Sequence, residues 1–134
     1  MRVLAIDTAL GACSAAVLDT ERGGFTDESV PMERGHAEAL MPLVARVMAK
    51  AKMKFADLDR VAVTTGPGSF TGLRVGMVAA KTFAYAVQCQ FVAVDTFLAV
   101  AVNCPCDVQS VWIVEDAQRG ELFAGRYQRT ADGS

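Results

Sequence analysis

An α/β domain is the fold this sequence predicts, and three observations predict it. The first thirty residues read as three short strand segments separated by turn chemistry. Residues 37–51 then switch to a helical apolar period, and from residue 61 onward β-branched runs alternate with helical stretches. With 134 residues, 52% of them hydrophobic and 21% charged, the chain can bury a core without help from metals or disulfides.

Taken in order, residues 2–7 (RVLAID) and 12–19 (ACSAAVLD) are strand-type runs joined by a tight connection. Residues 21–24 carry turn chemistry, and 24–31 return as a third strand at a sheet edge. Ala37, Leu40, Met41, Val44, Val47, Met48 and Ala51 recur at helical spacing, with Arg46, Lys50 and Lys52 toward solvent. Pro42 falls inside this pattern, either in the first turn, where a missing N–H costs little, or at a kink. A loop at 57–60 leads to a strand at 61–65 (VAVTT), a glycine-rich turn at 66–72 and a helix at 73–87. A strand at 91–94 and a helix at 96–103 follow, the helix capped by Asp95 or Thr96. Residues 111–115 and 121–127 read as a terminal hairpin.

The order β-β-β-α-β-α-β-α followed by a β-hairpin is that of the ribonuclease-H-like half of the actin/hexokinase/Hsp70 architecture, with right-handed crossovers. Residues 1–107 are expected to form this actin-like domain. Residues 108–134 read as the start of a further unit, because a two-stranded ribbon alone is marginal.

Charge and composition exclude several classes. A net charge of -2 and a pI near 5.3 do not suit a protein that grips nucleic acid by itself. The start, MRVLAID, lacks the layout of a signal peptide, and the apolar run at 92–102 is interrupted and too short for a bilayer. A cytoplasmic location is expected. Cys13, Cys89, Cys104 and Cys106 show no zinc-site spacing and read as free thiols.

Two segments could carry chemistry. In Asp7-Thr8-Ala9 a carboxylate and a hydroxyl end the first strand, as where actin-like domains present a metal-bound water and a phosphate. The same residues also suit an Asx-turn. The loop Gly66-Pro-Gly68-Ser69-Phe-Thr71-Gly72 lies between a strand and a helix, with Ser69 and Thr71 as N-cap candidates. Its N–H groups at a helix N-terminus could hold an anion, or its glycines could simply serve a tight connection. It is neither a Walker A loop nor G-x-G-x-x-G. Gly72, Gly76, Ala80 and Ala84 form a small-residue stripe that permits close packing, either within the chain or with a partner. His36 is the one histidine; no second histidine stands at metal-ligand spacing, so it is expected at a helix start, on the surface or at an interface.

MRVLAIDTA, ACSAAVLD, Arg34-Gly-His36 with Leu40-Met-Pro42, VAVTTGPGSFTGLRVG and residues 111–127 together resemble the TsaB family, formerly YeaZ, over essentially the whole chain. Members are tRNA threonylcarbamoyladenosine biosynthesis proteins, grouped in older naming with M22 peptidase-like glycoproteases. The resemblance implies an ASKHA (actin-like ATPase) fold and a degenerate relative of the catalytic subunit TsaD, which carries a paired-histidine metal motif. With a single histidine this chain is expected to supply no catalytic residue and no metal ligand. The function implied is a non-catalytic subunit of the complex that adds a threonylcarbamoyl group to N6 of adenosine 37 in tRNA. The alternative is a stand-alone ATP-binding or M22 peptidase-like enzyme. The partners implied are the TsaD-type subunit and a TsaE-type P-loop ATPase, with a homodimer as a further option, tRNA reached indirectly, and no membrane. The interface candidates are His36, Leu40, Met41 and Val44 on one helix and Gly72, Arg74, Gly76, Met77, Ala80 and Ala84 on the next. Asp7, Thr8, Gly66, Gly68, Ser69 and Thr71 are the phosphate-loop candidates. Family members continue into a second lobe, so the chain is expected to be a short form or one cut at a domain boundary. ATP or ADP, held between two lobes, is the one cofactor the resemblance allows.

Overall fold

The computed structural model describes residues 1–32, 34–104, 108–118 and 121–129, with the side chains of all but 116–118 and 121. The order is β1 (Arg2–Asp7), β2 (Ala12–Asp19), β3 (Gly24–Pro31), α1 (His36–Lys50), β4 (Arg60–Thr64), α2 (Phe70–Val87), β5 (Gln90–Val94), α3 (Thr96–Ala101), β6 (Ser110–Gln118) and β7 (Glu121–Gln128). A single 3-10 turn, Phe55–Asp57, stands before β4 where the sequence suggested plain loop.

Five strands form one sheet in the order β3-β2-β1-β4-β5, and β6 and β7 form a separate ribbon. β1, β2 and β3 are an antiparallel meander, while β4 runs parallel to β1 and β5 parallel to β4. Alternation along the strands sorts the side chains. Leu4, Ile6, Cys13, Ala15, Val17, Val61 and Val63 are buried on one face, under α1 and α2. The opposite face carries Ala5, Ala16 and Ala62 side by side, with Asp7 opposite Ser14 at the end of β1. This is the α/β arrangement expected of an actin-like, ribonuclease-H-like domain.

α1 seals the core with Leu40, Leu43, Val44, Val47 and Met48. The apolar period therefore runs through Leu43 and not Met41, which is 54% exposed. Pro42 lies in the second turn, past the first-turn position where proline is free of cost. The Glu38 carbonyl that its missing N–H would serve lies on the same exposed side. Outside the helices' inner faces, Phe55 stacks on Phe83 with centroids 5.2 Å apart, closing the lower end of the core.

α2 begins at Phe70, three residues before the glycine run suggested. Ser69 is the N-cap and accepts a hydrogen bond from the Gly72 N–H at 3.3 Å, so Thr71 is a first-turn helical residue and not a cap. Asp95 caps α3 through the Leu98 N–H at 2.9 Å, and Thr96 is the first helical residue. Among the described residues no helix is long and apolar enough to cross a membrane.

Candidate functional site

The two segments singled out for chemistry meet in space. Asp7 closes β1, and its Oδ1 accepts the Ala9 N–H at 3.0 Å and the Thr64 hydroxyl at 2.8 Å. It is thus both an Asx-turn acceptor and a tie between the ends of β1 and β4. The loop after β4 folds back over this turn: the Ser69 N–H donates to the Ala9 carbonyl at 2.8 Å. A Cβ on Gly68 would stand 2.5 Å from that carbonyl oxygen, and one on Gly76 would stand 2.5 Å from the Thr8 hydroxyl. Gly66 sits at φ +123°, a backbone region that L side chains rarely adopt. The glycines are therefore explained by close packing between the two turns.

Of the two readings of Asp7-Thr8-Ala9, a phosphate contact and an Asx-turn, Thr8 does not suit the first: it is 1% exposed and donates its hydroxyl to the Gly72 carbonyl. Of the loop's N–H groups, those of Gly66, Ser69 and Gly72 are used inside the chain, by Thr96 Oγ1, the Ala9 carbonyl and Ser69 Oγ. Ser69 and Thr71 stay exposed at the α2 N-terminus. Asp7, Gly66 and Gly68 are half-buried around the same turn.

The helix-pair candidates divide by burial. Leu40, Val44, Gly72, Gly76, Ala80 and Ala84 all face the chain's own interior. The small-residue stripe lets α2 lie close on the sheet: a Cβ on Gly76 would also press Val63 at 3.3 Å. His36, expected at a helix start and on the surface or at an interface, opens α1 but is only 7% exposed there, and its Nε2 is buried without a hydrogen-bond partner. The outer face belongs to other residues. Phe70 (74% exposed), Arg74, Val78 (63%) and Tyr85 (88%) follow one another along α2, and the Arg74 guanidinium lies 5.5 Å from the Phe70 ring centroid. Met41, Thr71, Arg74 and Val78 line an apolar groove between α1 and α2. Met77 is half-buried and packs against the core. The sequence could have given this stripe through its i, i+4, i+8 spacing, but the glycines drew attention to the opposite face.

Among the described residues, no three His, Cys, Asp or Glu side chains converge as metal ligands. Cys13, Cys89 and Cys104 are free, and Cys106 lies outside the described residues. Burial pushes the Cys13 and Cys89 thiols up, which makes them poor nucleophiles.

The sequence model of the family described as "TsaD: tRNA N6-adenosine threonylcarbamoyltransferase" matches residues 14–133. The tRNA threonylcarbamoyladenosine biosynthesis protein TsaB of Escherichia coli is 32% identical over 135 residues, covering 99% of this chain. The TsaB of Bacillus subtilis is 31% identical over 128 residues, covering 96%. Among solved structures, YeaZ from Pseudomonas aeruginosa superposes with a TM-score of 0.87 at 30% identity over 98% of this chain. The chain spans 58% and 56% of the lengths of the two relatives and 62% of the YeaZ chain. Matched along nearly its whole length in both sequence and fold, the chain belongs to the TsaD-related family, in its TsaB/YeaZ group.

Proposed function

We propose that this protein serves tRNA threonylcarbamoyladenosine biosynthesis as a non-catalytic subunit. In this reading it pairs with and scaffolds a TsaD-type transferase that modifies N6 of adenosine 37, with a TsaE-type P-loop ATPase completing the assembly. The observation that carries the reading is the outer face of the α1–α2 pair. Phe70, Val78 and Tyr85 are large, exposed and in line on α2, next to the exposed Met41 of α1. Large apolar side chains exposed on one helix face of a small domain, here with Arg74 set between Phe70 and Val78, mark a docking surface. A second copy of the chain competes for the same strip. The β6–β7 ribbon is the opening of a second actin-like lobe, consistent with the greater length of the relatives, and the assembly works in the cytoplasm.

The test is co-expression with the TsaD-type protein of the same organism, followed by affinity capture and by nucleoside analysis in a strain depleted of its own TsaB-type protein. Stable co-purification and restored threonylcarbamoyladenosine are expected. No affinity for the transferase together with no restoration would overturn the proposal. The catalytic alternative is favoured by one observation, that the matching family model is that of the transferase itself. It requires turnover of ATP or a peptide by the isolated chain, lost in Asp7→Ala.

A further inference from the structure

We infer that Asp95 and Thr96 form a joint that couples docking of the β6–β7 ribbon to the seating of the loop that opens α2. The ribbon's packing partner is α3. Tyr127 donates its hydroxyl to Asp95 Oδ1 at 2.9 Å, and the same oxygen accepts the Leu98 N–H at 2.9 Å. One carboxylate oxygen thus serves the ribbon and the α3 cap together. The ring of Tyr127 reaches that position by crossing Gly125 of its own strand. A Cβ at Gly125 would meet Tyr127 Cε2 at 2.9 Å and the buried Phe97 ring at 3.1 Å.

The next residue carries the connection inward. Thr96 is 1% exposed; its N–H donates to the Gly66 carbonyl at 2.9 Å, and its hydroxyl oxygen accepts the Gly66 N–H at 3.1 Å. Beyond Gly66 the loop continues to Ser69, whose N–H is held by the Ala9 carbonyl. Ribbon, α3 cap and α2 entrance are therefore joined through two adjacent residues, by hydrogen bonds and without a gap. A two-stranded ribbon is marginal without a partner. Against α3 this ribbon sets Tyr127 on Asp95 and Gly125 on the Phe97 ring. Loss of the Tyr127 contact leaves Asp95 held by the Leu98 N–H alone, and the coupling inferred is that the first turn of α3 and the Thr96–Gly66 pair then open more readily.

Amide hydrogen exchange of the whole chain, read by NMR for wild type and Tyr127→Phe, tests this. Tyr127→Phe keeps the ring and removes only the hydroxyl, so the fold is retained. Exchange at Thr96, Leu98, Gly66 and Ser69 is expected to rise several-fold together with that of the ribbon. Faster exchange confined to residues 110–128, or no change anywhere, would overturn the coupling. A double-mutant cycle with Thr96→Val provides an independent reading. The effects of the two substitutions on Ser69 exchange are expected to be non-additive, and simple multiplication of the two effects would sink the joint.

Discussion

Thr8 donates its hydroxyl to the carbonyl of Gly72, and a Cβ placed on Gly72 would overlap the carbonyl oxygen of Thr8. Two residues 64 positions apart are thereby tied, side chain to backbone, at the point where β1 ends and α2 begins. The contact seats the first turn of α2 on the β1–β2 turn.

Gly72→Ala is accordingly expected to destabilise the chain by about 3 kcal/mol, near the upper end for overpacking, because the obstructing atom is backbone and cannot rotate away. In a domain of this size that is a fall of roughly 10 °C in Tm, measured by thermal unfolding followed by circular dichroism. Gly11→Ala, where a Cβ meets nothing within 4 Å, is the control and should change stability by less than about 0.5 kcal/mol. Equal effects at the two glycines would contradict the close-approach account.

Asp19 gives the fold an acid-sensitive fastening. Burial alone would push its carboxyl up, but the N–H groups of Arg22 and Glu21 and the Arg2 guanidinium outweigh burial and hold it below the ordinary carboxylate range. Because the folded-state value is depressed, the stabilisation is present above about pH 4 and is lost as pH falls through the folded value. Urea unfolding of wild type and Asp19→Asn between pH 2 and 7 should show a stability gap at neutral pH that closes in acid. A gap that is constant with pH would show that the charge contributes nothing.

Tyr127 should act in the opposite sense. Burial first, and then the hydrogen bond and charge of Asp95, push its phenol above the ordinary tyrosine value. A raised folded value means that the stabilisation is intact below about pH 10 and is lost as pH rises through the folded value. In a Tyr85→Phe background, where Tyr127 is the remaining tyrosine, ultraviolet titration should give a midpoint above the ordinary one. Adding Asp95→Asn should lower that midpoint, and no movement would mean that the Asp95 contact does not persist in solution.

The meander was legible because its signals are local. Short apolar runs bounded by turn residues set β1 and β2, and turn chemistry at 21–24 sets the return along β3. The start of α2 was less legible, because Gly72 suggests a turn. It stands in the helix because Thr8 lies against it, and nothing in the sequence near Gly72 announces Thr8. Thr8 itself was read as a ligand group for the same reason, since a hydroxyl beside Asp7 looks available until the partner 64 residues away is known. In α1 the apolar spacing points to Met41 on the inner side, but the face packed on β2 buries Leu43 and leaves Met41 outside. The small-residue stripe was visible at once, but spacing alone does not say whether a sheet or a partner lies against it.

The stripe Gly72, Gly76, Ala80 and Ala84 is spent on the sheet, so any partner docking on α2 would meet its other side, where Val78 is 63% exposed at the lip of the groove with Met41 and Arg74. Val78→Glu places a charge there without disturbing the core, and stability should change by no more than about 0.5 kcal/mol. If this strip docks the transferase, burying an unpaired carboxylate at its centre should weaken capture of the TsaD-type protein at least tenfold, a penalty of about 1.4 kcal/mol. Gly76→Ala points inward and should instead lower Tm, through the crowding of Thr8 and Val63, while the affinity of the remaining folded protein stays unchanged. Titration calorimetry on both variants separates the two faces. Retained affinity in Val78→Glu would move the docking surface away from α2.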